Sequence, residues 1–156
     1  MKTRIIAMGH RMPSWVRDAS DEYLKRMPRD MPVQLVELKP EPRLSGRPVE
    51  QLLEMESSRI LSLLPEKHAL YALDEHGQSW TTADLTKALE LSANTGIDPC
   101  FIIGSADGLS SRIKQKARAQ VSLSRMTLPH GLARMILAEQ LYRAAMILKN
   151  HPYHRE

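Results

Sequence analysis

Short apolar runs alternate with longer segments of helical periodicity along the whole chain, and this alternation constrains the fold more than any other feature. The runs predict strands, and a segment with apolar residues every three or four positions follows each of them. The strands are predicted at residues 4–8, 33–38, 69–73, 100–103 and 120–124, and the helices at 14–27, 49–64, 81–95, 110–119 and 132–148. This order predicts an α/β fold, with a mostly parallel sheet and helices on both faces.

Three local patterns refine that prediction. The run 100–103 is apolar without alternation, which favours a central strand buried on both sides. Residues 39–48 contain three prolines and a glycine, so we predict a surface loop there. Thr81 and Asp84 have the spacing of a capping box and predict the start of a helix.

The length of 156 residues predicts a single domain that covers residues 1–156. No apolar run reaches the ~20 residues that a membrane span needs, and the apolar stretch after Met1 is too short for a signal peptide. Cys100 is the only cysteine, which excludes an internal disulfide and is compatible with a reducing compartment. We therefore expect a cytoplasmic protein with no membrane segment.

Positive charge is concentrated in the last third of the chain. Residues 110–156 hold nine basic and two acidic residues, whereas residues 1–109 hold 13 basic and 16 acidic residues. A segment of net charge +7 beside a faintly acidic remainder indicates a surface that faces a polyanion. A solvated helix face is the alternative at this point.

Parallel sheets bind ligands beyond the carboxyl ends of their strands, which directs attention to the loops after Leu73, Ile103 and Ser124. Gly104 permits close approach of the backbone to a ligand, although an ordinary turn into a helix is the alternative. The segment 123–131 is too apolar for a typical solvated loop and is suited to line a slot for a nucleobase-like ring. Neither a dinucleotide fingerprint nor a P-loop is present, which disfavours a nucleotide-binding oxidoreductase.

The last predicted helix and the tail after it carry a second group of candidates. Residues 132–148 are apolar around most of the helix, which predicts deep burial or a second buried surface such as a dimer interface. Glu139 and Arg143 lie four residues apart and can pair on one face, as plain surface residues also do. The tail 150–156 places an aromatic ring among histidines and an arginine, which suits stacking on a splayed-out base. A frayed terminus is the alternative, and no set of residues with metal-ligand spacing accompanies the histidines.

Four segments together resemble a known family. They are Phe101-Ile102-Ile103-Gly104, the run from Leu123 to His130, Ala138-Glu139-Gln140-Leu141-Tyr142-Arg143-Ala144, and the ending His151-Pro152-Tyr153-His154-Arg155-Glu156. With Met12-Pro13-Ser14-Trp15-Val16 near the start, the chain resembles the ribosomal large-subunit pseudouridine N3-methyltransferases of the SPOUT superfamily. The resemblance covers essentially the whole chain, and the tail is its most specific part.

The resemblance implies a deep trefoil knot in the C-terminal part of the sheet and a homodimer with the cofactor pocket beside the partner subunit. It implies S-adenosylmethionine as the methyl donor, with S-adenosylhomocysteine as the product, and a pseudouridine of 23S rRNA as the substrate. Its cofactor contacts carry over to Leu73, Gly104, Leu123, Ser124, Arg125, Met126, Thr127 and Leu128. The family usually has a second glycine after Gly104, and here Ser105 stands in its place, with a Cβ expected to narrow the pocket.

The resemblance also implies which residues act on the base. His154, Tyr153 or Glu139 is expected to accept or relay the N3 proton, and Arg143 or Arg155 to stabilise the developing anion. A SPOUT methyltransferase acting on tRNA and a non-enzymatic RNA-binding protein on the same fold are the alternatives. No metal is expected in either site.

Overall fold

A five-stranded parallel sheet forms the centre of the computed structural model, which describes residues 1–154. The strands within that range are β1 Thr3–Met8, β2 Val33–Leu38, β3 His68–Ser79, β4 Asp98–Ile103 and β5 Ala119–Ser122. Their order across the sheet is β2-β1-β4-β3-β5, and every neighbouring pair is parallel. β4 is the central strand and is buried from its second residue onward, as its apolar run predicted.

Helices connect the strands, and their ends follow local sequence signals. They are α1 Ser14–Leu24, α2 Val49–Leu61, α3 Thr82–Thr95, α4 Ser111–Lys116 and α5 His130–Leu148. The predicted capping box is present at α3, where Thr81 Oγ1 accepts the Asp84 amide at 3.1 Å and Asp84 Oδ2 accepts the Thr81 amide at 2.8 Å. Ser110 caps α4 by accepting the Ile113 amide at 3.3 Å.

The core has two layers because successive strand residues point to opposite faces of the sheet. Ile5 and Phe101 pack with α3 and α5 on one face, while Ile6 and Ile102 pack with α2 and α4 on the other. All four side chains are fully buried. The prediction of an α/β fold with helices on both faces of a parallel sheet is therefore confirmed, and the trefoil knot stays a prediction.

One strand differs from its prediction in a way that matters for the site. β3 continues to Ser79, although Asp74 and Gly77 have the composition of a turn. Val121 of β5 pairs with both Leu73 and Gln78, so the residues between them bulge out of the ladder. The chain returns to β5 at Gly77, where an added Cβ would lie 2.6 Å from the Gln120 carbonyl oxygen. A glycine allows this close return, and the bulge projects at the carboxyl edge of the sheet.

None of the helices in residues 1–154 combines the length and the apolar character required to cross a membrane.

Candidate functional site

A cavity of about 610 Å³ lies at the carboxyl edge of the sheet, where parallel sheets bind their ligands. Its volume falls within the range typical of small-molecule sites. The ends of β3, β4 and β5 and the start of α5 form its walls. The lining includes Leu73, Asp74, Ile103, Gly104, Ser105, Asp107, Gly108, Lys114, Leu123, Ser124, Met126, Thr127, Leu128 and His130.

Gly104 begins a tight loop on one wall of this cavity. A Cβ added to Gly104 would lie 2.5 Å from the Gly108 carbonyl oxygen and 2.9 Å from Leu109 Cγ. The Gly108 amide donates to the Ser105 carbonyl at 2.8 Å, and Gly108 has a φ of +81°. The loop therefore requires glycine at both positions, since a side chain would collide at the first and strain the backbone at the second.

The opposite wall is the segment after β5, which the sequence predicted as a binding loop. Ser122 Oγ donates to the Ser124 carbonyl at 2.7 Å, and Ser124 Oγ accepts the Met126 amide at 2.9 Å. These bonds fold the segment into a turn whose apolar side chains lie next to backbone groups. Such a mixture suits a heterocyclic ring that needs both apolar contact and hydrogen bonds.

Seven of the eight predicted cofactor residues line this one cavity, and Arg125 does not. Arg125 lies between Ser124 and Met126, and its side chain is exposed. Sequence reasoning did not single out Asp74 and Lys114, whose side chains pair at 3.2 Å on the cavity wall. The position of Asp74 directly after the predicted strand 69–73 was the available signal for it.

A buried network beneath the cavity was also missed. Arg134 on α5 is 1% exposed and donates to the Glu37 carboxylate, to the Gly9 carbonyl at 3.0 Å and to His130 Nε2 at 2.9 Å. Because Nε2 accepts this bond, Nδ1 carries the proton and donates to the Gly104 carbonyl at 3.1 Å. The four-residue spacing of His130 and Arg134 in a predicted helix was the signal for their contact.

The stability of the chain is expected to fall as the pH drops below about 6.5, the ordinary pKa of histidine. Burial and the neighbouring charge of Arg134 lower the pKa of His130, so the unfolded chain binds a proton more readily than the folded chain. Urea unfolding between pH 8 and pH 5 measures this loss. His130→Gln removes the titrating group, and its stability should fall less steeply over the same range. Equal slopes for the two chains would contradict the assignment.

Three of the predicted catalytic residues form a separate cluster: Glu139 and Arg143 on α5, and Tyr153 in the tail. Arg143 donates to Glu139 Oε1 through Nε at 2.9 Å and Nη2 at 2.7 Å, and Tyr153 donates its hydroxyl to the same oxygen at 3.1 Å. The Arg143 guanidinium lies 5.0 Å from the centre of the Tyr153 ring. The ion pair of Glu139 and Arg143 is therefore part of a network with Tyr153 rather than a plain surface ion pair.

The tail is packed rather than frayed over its described residues. Pro152–His154 form a 3-10 helix against α5, and the Tyr153 ring meets the Tyr142 ring edge-on with centroids 4.7 Å apart. Burial and the Glu139 carboxylate raise the pKa of Tyr153 to about 12. The phenol is consequently protonated at neutral pH and acts as a donor. The predicted roles of the His154 side chain and of Arg155 fall outside the described residues.

The cavity lies at the start of α5, and the cluster extends from the middle of the helix toward its C-terminal end. His130 lines the cavity and Glu139 belongs to the cluster, and the two lie nine positions apart in the helix, about 13 Å along its axis. The structure thus brings together Glu139, Arg143 and Tyr153, and separately most of the predicted cofactor residues. It does not join the two groups in a single chain.

Comparison of the chain with known proteins identifies its family. A family model described as "Predicted SPOUT methyltransferase" matches residues 1–154. The chain belongs to the SPOUT methyltransferase family. SPOUT methyltransferases take their methyl group from S-adenosylmethionine, so this chain is a methyltransferase with that cofactor.

Full-length relatives of this SPOUT methyltransferase carry a more specific name. A protein of Nitrosospira multiformis named "Ribosomal RNA large subunit methyltransferase H" is 50% identical over 99% of both chains. A protein of the same name from Methylobacillus flagellatus is 49% identical over the whole of both chains. Among solved structures, the SpoU methyltransferase AviRb from Streptomyces viridochromogenes, in complex with AdoMet, matches at 13% identity and a TM-score of 0.46. That match covers 92% of this chain and 57% of the AviRb chain.

The residues of the cavity fit the cofactor of the SPOUT family. The Gly104 loop is folded so tightly that a Cβ on Gly104 would collide with the Gly108 carbonyl, which leaves backbone groups on one wall, and the opposite wall offers apolar side chains beside backbone groups. Across residues 1–154, no three His, Cys, Asp or Glu side chains are grouped as a metal ion would require.

Proposed function

We propose that this SPOUT methyltransferase transfers a methyl group to N3 of a pseudouridine in 23S rRNA of the assembled ribosome, working as a homodimer in the cytoplasm. The observation that carries the proposal is the division of the predicted site between the start and the second half of α5. The full-length relatives named as large-subunit ribosomal RNA methyltransferases support the choice of substrate. Two copies of the chain would together build the RNA-binding surface.

A second copy of the chain is the proposed means of joining the two halves. The starts of α1 and α5 pack closely against each other at a junction, where a Cβ on Gly131 would lie 3.0 Å from Val16 Cγ2. The neighbours of these two residues are apolar and exposed, Trp15 at 56% and Leu132 at 38%. This junction adjoins the cavity, so a partner that covers it can present its own tail there.

The cavity would hold the cofactor through Leu73, Gly104 and the segment 123–128. When bound, S-adenosylmethionine supplies a methyl group on a positively charged sulfur and leaves as S-adenosylhomocysteine. The walls of the cavity hold the reacting groups in line, which lowers the entropic part of the barrier. Because His130 donates to the Gly104 carbonyl and Arg134 holds the His130 ring in place, the loop would be ordered before binding.

The cluster on α5 would handle the charge of the base as N3 loses its proton. Arg143 offers a cation to the developing anion, and Glu139 holds its guanidinium in place through two bonds to one oxygen. Gln140 donates to the other Glu139 oxygen at 2.7 Å, so both oxygens already accept bonds. Since the Tyr153 phenol is a donor at neutral pH, we assign the role of proton acceptor to the imidazole of His154.

Positive charge near the cavity would position the ribosomal RNA. Lys116, Arg118 and Arg125 are exposed on α4 and at the two ends of β5. Contacts of such residues with phosphates fix orientation without reading sequence, so the enzyme would recognise the folded shape of the RNA. A two-fold axis doubles this set of charges around two cavities.

Ribosomes that lack the modification test the proposed function. We expect the protein to transfer labelled methyl groups from S-adenosylmethionine to N3 of one pseudouridine in the large-subunit RNA of assembled ribosomes. Ribosomes that already carry the modification are the control and should gain no label. Label on tRNA alone would favour the alternative SPOUT substrate, and the absence of label on large-subunit RNA would refute the proposal. Free 23S rRNA beside assembled ribosomes shows which form the enzyme accepts.

A further inference from the structure

A buried carboxylate lies behind the Gly104 loop, outside the residues used so far. Glu56 on α2 is 2% exposed, and a buried charge needs several donors to compensate for lost hydration. It accepts Arg43 Nη1 at 3.0 Å, the Glu41 amide at 2.9 Å and Ser105 Oγ at 3.0 Å. Its donors thus come from the loop 39–48 and from the cavity loop, which are far apart in sequence.

Arg43 connects the same two loops with its other nitrogens. Its Nη2 donates to Ser105 Oγ at 2.7 Å, and its Nε donates to Asp107 Oδ2 at 2.7 Å. Its Nη1 also donates to the Glu41 carbonyl at 2.8 Å, which fixes the guanidinium to its own loop. We call the set Arg43, Glu56, Ser105 and Asp107 the Arg43 latch.

The Arg43 latch holds the outer side of the loop whose inner side lines the cavity. Ser105 and Asp107 are both lining residues. On the inner side, His130 donates to the Gly104 carbonyl. The short loop is therefore held by hydrogen bonds on both of its sides. The Ser105 hydroxyl is engaged with Arg43 and Glu56, which gives the side chain a role that a glycine at this position lacks.

From these contacts we propose that Arg43, Glu56 and Ser105 are positioning residues for the cofactor: they hold the Gly104 loop in its binding conformation before S-adenosylmethionine enters. The inference rests on the proposed use of this cavity. A loop ordered in advance loses less conformational entropy on binding, so each bond of the latch contributes to affinity by ordering the loop. The role is distinct from catalysis, because Arg43 and Glu56 are not among the residues that line the cavity.

Calorimetry with S-adenosylmethionine and S-adenosylhomocysteine tests the latch on the full-length protein. We expect Ser105→Ala to weaken both ligands roughly fivefold, and Arg43→Gln roughly tenfold or more, as for lost bonds to a charged group. Ser105→Thr keeps the hydroxyl and should retain most of the affinity. Thermal unfolding of each variant is measured in parallel, because a purely structural role would lower the melting temperature and leave the Kd of the folded protein unchanged.

Arg47→Gln is the matched control for the loss of charge. Arg47 belongs to the same loop, is exposed, and contacts Met55 Sδ at 3.2 Å rather than the cavity loop. It should bind both ligands as the wild type does. Wild-type affinity in Ser105→Ala, or equal weakening in Arg47→Gln and Arg43→Gln, would overturn the latch. If Arg43→Gln fails to fold, the Ser105 pair decides. Failure of the wild-type chain itself to bind either ligand would instead refute the proposed function, and the latch with it.

Discussion

Gly104→Ala is expected to weaken the binding of S-adenosylmethionine by roughly ten- to hundredfold, the range that a steric cost of ~1–3 kcal/mol produces. The new methyl group would lie 2.5 Å from the Gly108 carbonyl oxygen and 2.6 Å from its carbon. Both are backbone atoms, so no side-chain rotation can relieve the collision. The loop must open, which also draws the Gly104 carbonyl away from His130.

Gly96→Ala provides the control for this substitution. Gly96 follows α3, has a φ of +70°, and has nothing within 4 Å of its added Cβ. Alanine there is strained by about 1 kcal/mol or slightly more, so the melting temperature should fall while the affinity for the cofactor is retained. Equal affinity of Gly104→Ala and the wild type, measured by calorimetry, would contradict the assignment of the cavity.

Removal of residues 151–156 is expected to lower methyl transfer by at least about a hundredfold, as for the loss of a general base. Cofactor binding should be largely preserved, because the residues that line the cavity come from the ends of β3, β4 and β5, the loops after them and the start of α5. Single-turnover transfer to ribosomes and calorimetry with S-adenosylhomocysteine measure the two effects separately. Parallel loss of transfer and of cofactor affinity would show that the tail has a structural role instead.

Mixed dimers decide whether the two halves of the site come from different chains. At a cofactor concentration well below the Kd of Gly104→Ala, both this variant and the chain without residues 151–156 should have low activity alone. In a mixture, one of the two sites of a heterodimer receives an intact cavity from the truncated chain and an intact tail from the Gly104→Ala chain. We expect activity to return after the chains are mixed and allowed to exchange. No recovery from verified heterodimers would place both halves within one chain.

Much of the fold could be predicted because buried parallel strands produce continuous apolar runs. Residues 33–38 were predicted as a strand with the bounds that the structure shows, and the capping box at Thr81 located the start of α3. The extension of β3 beyond Leu73 was missed, since Asp74 and Gly77 are typical of turns. Strand order could not be predicted, because it depends on contacts between distant segments.

The cavity was predictable for the same physical reason: its loops follow strands whose carboxyl ends meet at one edge. The Arg43 latch was not, since Arg43 lies in a loop whose prolines and glycine indicated only an exposed connection. Its partners Glu56 and Ser105 lie 13 and 62 residues further along the chain. The part-buried contact of Arg134 with Glu37 joins residues 97 positions apart, so local sequence patterns could not predict it either.

The direction of α5 has a consequence for how the protein responds to dilution. This helix runs from the cavity to the tail. On the proposed assembly, a single folded chain therefore contains both the cofactor cavity and the catalytic cluster but holds them apart. Folding and the gain of methyl-transfer activity are then separate steps, and the second step requires two chains to associate. Specific activity should then depend on protein concentration near the dissociation constant of the dimer. A newly made chain at low concentration would not methylate RNA until it has dimerised.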